Sequence, residues 1–157
     1  MAEGDHEIEE MKKFRHAIPE SINMLIAERK ITISALTKLG TDMSVPDGRL
    51  EDVMRMYHAG LATAGLDYVI FGHIGNNHVH VNILPRSMEE FEKGRALYLN
   101  WAKQVVAMGG CVSAEHGIGK LKRDLLARTK QPVELEMMRA IKQALDPHGI
   151  MNPGKVI

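Results

Sequence analysis

The chain has little cysteine, no excess charge of either sign and no long hydrophobic run. Cys111 is the single cysteine, so an intramolecular disulfide is excluded and a reducing compartment is favoured. Twenty basic residues balance twenty acidic ones, whereas a nucleic-acid or anionic-membrane partner normally requires a basic excess. No apolar run approaches the roughly 20 residues that span a bilayer, and the N-terminal MAEGDHEIEEMKK is too polar for a signal peptide. We therefore expect a cytoplasmic protein without a nucleic-acid partner or a transmembrane segment.

Aromatic residues are also scarce, at 4% of the chain, and eleven methionines supply part of its apolar side chains. Methionine is a flexible gap-filler, so we assign these residues to core packing and infer no function from them. With 157 residues, of which 45% are apolar and 25% charged, the chain is long enough for one globular domain with its own hydrophobic core.

Local patterns at the start of the chain predict a helix, a strand and a loop. The charged, moderately periodic stretch 5–17 predicts a short helix that ends at Pro19, because helices usually stop before a proline. Residues 1–20 are thus expected to be a helical or flexible lead-in. Residues 31–36 alternate and are rich in β-branched side chains, which predicts a strand. Residues 39–46 are predicted to form a loop.

The remainder of the sequence predicts an α+β domain. Helical periodicity and capping residues predict helices over residues 49–65, 87–108, 120–128 and 132–145, and β-patterns predict strands over residues 66–73 and 78–84. An Asn/Gly turn separates the two strands, which is typical of a β-hairpin. Since helices precede and follow this hairpin, we expect an antiparallel sheet with helices packed mainly on one face.

Three polar side chains share one face of the second predicted strand. Residues two apart on a strand point to the same side, so His78, His80 and Asn82 project together while the residues between them point toward the core. Imidazole is the commonest metal ligand and a general base suited to neutral pH. The alternation therefore indicates a metal or acid–base site, with an ordinary solvated strand as the alternative.

A third histidine and a carboxylate are available for such a site. His73 closes the preceding strand, and the hairpin turn would bring it back beside His80. Two histidines and a carboxylate commonly hold a divalent metal and leave positions open for substrate. Glu115 is the best candidate for the carboxylate, because it stands with His116 between glycines that allow close backbone approach to a ligand. A surface turn is the alternative for this segment.

Four segments of the chain form a distinctive series: residues 42–46 (DMSVP), 72–82 (GHIGNNHVHVN), 109–120 (GGCVSAEHGIGK) and 146–155 (DPHGIMNPGK). In this order they resemble four segments of a known domain, D-x-S-V-P, GHxGDGNxHxN, GGxxSxEHGxGxxK and the terminal DPxxxxNPGK. That domain is the C-terminal domain of FAD-linked oxidases, the family of the glycolate oxidase D-subunit, D-lactate dehydrogenases and D-2-hydroxyglutarate dehydrogenase.

The resemblance implies a single domain over residues 1–157 with the family's ferredoxin-like fold. Its function would be that of the substrate-side domain of an FAD-dependent 2-hydroxyacid dehydrogenase of the glycolate or D-lactate type. Nothing before residue 42 resembles the glycine-rich loop with which the family holds FAD. We therefore expect the FAD-binding domain to belong to a longer parent enzyme or a partner subunit. The isolated chain is not expected to hold FAD firmly or to turn over.

The resemblance also implies a role for each site residue. His73, His80 and Glu115 would bind a divalent metal, zinc in the first instance, which holds the carboxylate and hydroxyl of a small 2-hydroxyacid. His116 would be the catalytic base that takes the hydroxyl proton. Two residues of the tail would lie near flavin or substrate: Asn152 and Lys155.

The hairpin turn departs from the family pattern. Where the family has Asp-Gly-Asn, this chain has Asn76, Asn77 and His78. The first change removes a negative charge near the metal, and the third adds a further candidate ligand. Both changes bear on which metal binds and how tightly.

Two other functions are compatible with parts of the sequence. The run from His78 to Asn82 is close to the H-x-H-x-H signature of the histidine-triad nucleotide hydrolases, although the third histidine is replaced by Asn82. That family gives no reason for the glycine-flanked Glu115 segment or for the NPGK tail. A metal- or ligand-binding module without catalysis is the second alternative, because no flavin-binding segment is present.

Overall fold

A β-hairpin lies at the centre of the computed structural model, which describes residues 4–120 and 122–157. Helices α1 to α5 span Asp5–Thr32, Leu50–Ala64, Met88–Ala107, Arg123–Thr129 and Pro132–Leu145. Strands β1, β2 and β3 span Leu39–Gly40, Tyr68–His73 and His78–Ile83, and they form an antiparallel sheet in the order β1-β3-β2. The predicted α+β class with an antiparallel sheet is confirmed.

One face of the sheet packs against α2 and α3. In α2, Val53, Tyr57 and Leu61 recur at a spacing of one helical turn and are buried together with β3 residues of the same core. Trp101 of α3 meets Tyr57 edge to face, with ring centroids 4.8 Å apart. Helix α2 ends where Gly65 adopts the left-handed conformation. This core fixes the hairpin from one side and leaves its other face for polar side chains.

Helix α1 is continuous through Pro19, so the predicted helix end at Pro19 is wrong. The predicted strand over residues 31–36 is also wrong, because α1 extends to Thr32 and residues 33–36 form no strand. Of the proposed lead-in, residues 5–20 are helical, and its first three residues lie outside the described part of the chain. The second half of α1 packs Ile22 and Ile26 against Leu84, and Arg29 donates hydrogen bonds to backbone carbonyls that follow β3. These tertiary contacts outweigh the local preference for a helix end at Pro19. Within the described residues, no helix is both long and apolar enough to span a membrane.

Part of the predicted loop over residues 39–46 is strand-like and runs antiparallel to β3. The Thr41 N–H donates to the Val81 carbonyl at 2.9 Å, and Ser44 exchanges two backbone hydrogen bonds of 2.9 Å with Cys111. The apolar side chains on either side of Ser44, those of Met43 and Val45, are buried in the core. The alternation of polar and apolar residues from Thr41 to Val45 is a strand signal that the flanking Gly and Pro obscured.

We predict that Ser87→Ala lowers the free energy of unfolding by about 1 kcal/mol. Ser87 Oγ accepts a hydrogen bond from the Glu90 N–H at 3.1 Å and so caps α3, while the Glu90 carboxylate accepts from the Arg86 N–H at 2.8 Å. Urea denaturation followed by circular dichroism measures the change. Ser21→Ala is the control, because the Ser21 hydroxyl donates only to a carbonyl within α1. Equal stability of Ser87→Ala and the parent would contradict the prediction.

Candidate metal centre

The hairpin brings three histidines to one face of the sheet. In the register of β2 and β3, His73 pairs with His78 and Phe71 pairs with His80. The ring centroids of His78 and His80 are 4.4 Å apart, and those of His73 and His78 are 6.2 Å apart. Gly72 permits this pairing, because a Cβ there would lie 2.6 Å from the His78 carbonyl oxygen. The turn thus returns His73 to the side of the sheet that carries the other two.

This polar face is largely covered. His78 and Asn82 are only 3% and 4% exposed, although the sequence assigned the core face of β3 to the residues between them. Helix α1 packs over this side, and the segment that begins with β1 runs along the edge of β3. Because buried polar groups are normally satisfied by a partner, the histidines of this face require hydrogen-bond acceptors or a bound cation.

The Asp42 carboxylate accepts the hydrogen bonds that hold the segment of Glu115 and His116 against the hairpin. Its Oδ1 accepts a hydrogen bond from the Glu115 N–H at 3.1 Å, and its Oδ2 accepts from the His116 N–H at 3.0 Å. The Ser113 hydroxyl and the Lys122 ammonium also donate to Oδ2. One carboxylate therefore fixes the backbone from which the Glu115 and His116 side chains project.

The charge of Asp42 is stabilised by these donors. Burial raises the pKa of Asp42, but the hydrogen bond from Lys122 and those from the His116 and Glu115 N–H groups outweigh burial. Together they hold the pKa well below its usual range. Lys122 also donates to Ser113 Oγ at 3.1 Å. The buried ion pair therefore has hydrogen bonds on both partners, which is the condition under which such a pair is tolerated.

The Glu115 carboxylate is the point on which the histidines converge. Its Oε1 lies 3.5 Å from His73 Nε2 and 3.3 Å from His78 Nδ1. Its Oε2 lies 3.9 Å from His80 Nε2. The two histidines and the glutamate predicted as metal ligands thus lie together, and His78 joins them.

The orientation of His80 leaves one ring nitrogen available to a ligand. His80 Nδ1 is 2.7 Å from the Thr41 carbonyl oxygen. A carbonyl only accepts, so Nδ1 carries the proton and Nε2, which faces Glu115, carries a lone pair. A backbone carbonyl that holds the distal nitrogen is the usual outer partner of a metal-binding histidine.

Within the described residues, two sets of three side chains have ligand atoms within 4.8 Å of one another: His78, His80 and Glu115, and Asp42, His80 and His116. The predicted ligand His73 is in neither set, although its Nε2 lies 3.5 Å from Glu115 Oε1. The carboxylate of the second set already accepts hydrogen bonds from two N–H groups, a hydroxyl and an ammonium, which leaves little capacity for an ion. Imidazoles and a free carboxylate suit zinc and neighbouring divalent ions. The first set therefore fits a metal better.

A cavity of about 280 Å³ opens beside this cluster. His80, His116 and Asp42 contribute to its wall, and the ring centroids of His80 and His116 are 5.7 Å apart. A small organic acid in this cavity would lie against both imidazoles. A larger groove of about 740 Å³ between α2 and α3 contains none of these side chains.

The tail residues predicted to contact flavin or substrate lie apart from the histidine cluster. Asn152 and Lys155 line a separate cavity of about 240 Å³ with Lys142 and the last residues of the chain. Within residues 4–120 and 122–157, neither side chain forms a hydrogen bond or ion pair with the cluster. Asp146 fixes this tail by accepting from the Ile150 and Met151 N–H groups at 3.0 and 2.9 Å.

Sequence reasoning missed three residues of the site: Thr41, Asp42 and Lys122. A sequence signal existed for two of them. Asp42 opens the D-x-S-V-P segment, to which no role was attached. The final lysine of the GGxxSxEHGxGxxK pattern falls on Lys122 rather than on Lys120. Thr41 acts through its backbone carbonyl, which leaves no trace in the side-chain pattern.

Comparison with known proteins gives a match over almost the whole chain. Residues 1–156 match the family described as FAD linked oxidases, C-terminal domain. The chain is 36% identical over 162 residues to D-2-hydroxyglutarate dehydrogenase of Stutzerimonas stutzeri (strain A1501), covering 99% of this chain and 32% of that protein.

Two further relatives are named for other activities. A D-lactate dehydrogenase of Anaerostipes hadrus is 34% identical over 119 residues, covering 73% of this chain and 25% of the relative. Glycolate oxidase subunit GlcD of Bacillus subtilis (strain 168) is 27% identical over 139 residues, covering 84% of this chain and 30% of the relative. The chain therefore spans about a third or less of the length of these curated relatives.

Proposed function

The chain belongs to the family of FAD-linked oxidase C-terminal domains, and we propose that it is the substrate- and metal-binding domain of an FAD-dependent 2-hydroxyacid dehydrogenase. Glycolate or D-lactate is the type of substrate we propose. The observation that carries the proposal is the convergence of three imidazoles on Glu115 beside the cavity that His116 lines. The flavin-binding domain would come from the longer protein or a partner subunit, and a cytoplasmic location stays a prediction.

In this proposal His73, His80 and Glu115 hold a divalent metal, with zinc as the first choice. The Thr41 carbonyl orients His80, and Asp42 holds the backbone of Glu115. When bound, the ion would act as a Lewis acid on the substrate's carboxylate and hydroxyl oxygens, and the flavin would accept two electrons. The chain's own contribution is to place the substrate's α-carbon and hydroxyl between these groups.

His116 is the proposed base. Oxidation of a 2-hydroxyacid to a 2-oxoacid removes a hydride from the α-carbon and a proton from the hydroxyl, and a ring nitrogen of His116 would accept that proton. These nitrogens form no hydrogen bond with other side chains in the described part of the chain, so they are free to do so. The Asp42 carboxylate fixes the His116 backbone. Asn152 and Lys155 stay proposed contacts of flavin or substrate.

The proposal is tested with the full-length protein that carries the flavin-binding domain. We expect anaerobic addition of glycolate, D-lactate or D-2-hydroxyglutarate to bleach the bound flavin with at least one of these acids. Removal of metal with a chelator should abolish the bleaching, and added Zn²⁺ should restore it. Unchanged bleaching after complete metal removal would contradict a catalytic role for the metal.

Two other outcomes would favour different functions. A protein that binds metal and flavin but is reduced by none of the acids would favour a binding module without catalysis. Hydrolysis of a nucleoside phosphoramidate by the purified chain would favour the histidine-triad interpretation. The family match weighs against the second of these, because it covers the Glu115 segment and the tail as well as the hairpin.

A further inference from the structure

His78 has no role in the site as proposed so far, yet it is the most buried of the cluster's histidines. It is 3% exposed, whereas the side chain of His73 is 46% exposed. The GHxGDGNxHxN segment of the family that this chain resembles has asparagine at this position. A buried imidazole that replaces a smaller polar group needs a partner for each ring nitrogen.

The surroundings of His78 supply two anionic oxygens and no hydrogen bond. Nε2 lies 3.2 Å from Asp42 Oδ1 and Nδ1 lies 3.3 Å from Glu115 Oε1. Nε2 is buried and has no hydrogen-bond partner among the described residues. A neutral imidazole carries one proton, so one of its nitrogens presents a lone pair to a carboxylate oxygen. Two such lone-pair atoms repel each other unless a second ring proton or a metal cation lies between them.

The position of Asp42 decides which nitrogen faces the cation. Asp42 is 2% exposed and is engaged by the Glu115 and His116 N–H groups and by Lys122. Glu115 is 40% exposed and accepts no hydrogen bond through its carboxylate within the described residues. The free carboxylate lies on the Nδ1 side. Nδ1 is therefore the ligand atom, and Nε2 carries the ring proton on the side of Asp42, whose Oδ1 is 3.2 Å away.

We propose that His78 is a metal ligand in this chain, binding through Nδ1 as a fourth protein ligand beside His73, His80 and Glu115. Ligand atoms that share one zinc with bonds of about 2.1 Å lie about 3.0 to 3.4 Å apart, and His78 Nδ1 is 3.3 Å from Glu115 Oε1. An ion that expands to five ligands keeps one position for substrate beside these four. Adjacent residues lie behind the two histidines: the Thr41 carbonyl oxygen is 2.7 Å from His80 Nδ1, and Asp42 Oδ1 is 3.2 Å from His78 Nε2. This inference rests on the metal centre of the proposed function.

The test compares metal affinities of the 157-residue chain and its variants. Zn²⁺ is titrated in competition with a chromophoric chelator, and Co²⁺ binding is followed by its visible absorption. We expect His78→Asn, which restores the residue of the family pattern, to weaken Zn²⁺ binding at least about tenfold and to change the Co²⁺ spectrum. His148→Asn removes an exposed histidine outside the cluster and should change neither.

The outcomes separate this inference from the proposed function. If the parent binds metal and His78→Asn binds it with the same affinity and the same Co²⁺ spectrum, the inference is overturned and the metal centre stands. If the parent binds neither Zn²⁺ nor Co²⁺, the metal centre falls and the inference falls with it.

A measurement on the parent covers the case in which His78→Asn does not fold. Imidazole ¹⁵N resonances are recorded with and without Zn²⁺. We expect the Nδ1 signal of His78 to shift on metal binding while the His148 signals stay unchanged. Zn²⁺ binding that leaves both His78 nitrogens unshifted would overturn the inference without any variant.

Discussion

Replacement of Glu115 by alanine is expected to weaken divalent-metal binding by about 100-fold or more and to abolish turnover of the full-length flavoprotein. Outer partners of metal ligands already contribute 10- to 100-fold to affinity, and a direct anionic ligand contributes at least as much. Glu115 is the carboxylate that His73, His78 and His80 all face, at 3.3 to 3.9 Å. Its removal leaves neutral imidazoles and no charge to balance the ion.

The folding of Glu115→Ala should match that of the parent, which makes the result interpretable. The Glu115 side chain is 40% exposed, and Asp42 holds this residue through its backbone N–H. That hydrogen bond survives the substitution. Isothermal titration with Zn²⁺ measures affinity, and flavin bleaching by 2-hydroxyacids measures turnover.

Two variants serve as controls for Glu115→Ala. His116→Gln removes the proposed base, so turnover should fall by about 100-fold or more while metal affinity stays within a few-fold of the parent. Glu136→Ala removes an exposed carboxylate on α5 and should change neither quantity. Parent-like metal affinity in Glu115→Ala would show that the ligand assignment is wrong.

The hairpin could be predicted because its signals are local. Period-two alternation from His78 to Ile83 and an Asn/Gly turn determine strand, face and register together. The register that results pairs His73 with His78 rather than with His80, beside which the turn was predicted to bring it, because Phe71 is the residue opposite His80. Helix α5 is equally local, since Pro132 opens it and Leu145 ends it at the predicted positions.

The course of α1 could not be predicted, because its determinants are distant in sequence. A proline disfavours helix at the preceding residue, yet α1 continues through Pro19 because residues further along pack on the end of β3. Arg29 donates to the Pro85 carbonyl, 56 residues away, and Ile26 contacts the same region. No window around Pro19 contains this information.

The residues of the candidate site also differ in whether their signal is local in the sequence or depends on distant partners. Glu115 and His116 were found because glycines flank them in a short segment. Asp42 was missed because its role is defined by donors that lie 71 to 80 residues further along the chain. An acidic residue in an apparent loop carries no sign that it will be buried. The alternation of polar and apolar residues from Asp42 to Val45 is the local signal that accompanies its burial.

Asp42→Asn is expected to lower the free energy of unfolding of the metal-free chain by about 3 kcal/mol. Removal of one partner of a buried ion pair leaves the other charge uncompensated, at a cost of about 3–5 kcal/mol, and Lys122 is only 15% exposed. The asparagine amide in Asp42→Asn still accepts hydrogen bonds through its one oxygen, so we expect a loss at the lower end of this range. Urea denaturation in the presence of a chelator measures it, and Asp124→Asn, which alters an exposed carboxylate, is the control.

A double-mutant cycle assigns this loss to the ion pair. Lys122→Met leaves Asp42 without its ammonium, and Asp42→Asn leaves Lys122 without its carboxylate. If the pair is the cause, the double variant should be less destabilised than the sum of the single variants. Strictly additive losses would refute the assignment.

The acid dependence of stability gives a second measure of the same carboxylate. Because the folded pKa of Asp42 is depressed, its contribution is fully present above the unfolded pKa of about 3.9. The contribution is lost as pH falls below that value toward the folded pKa. The parent should therefore lose stability below about pH 4 more steeply than Asp42→Asn.

Since the same oxygens hold the Glu115 and His116 N–H groups, metal affinity should fall in Asp42→Asn even where the chain remains folded. Parent-like affinity in that variant would mean that Asp42 stabilises the fold without positioning the site.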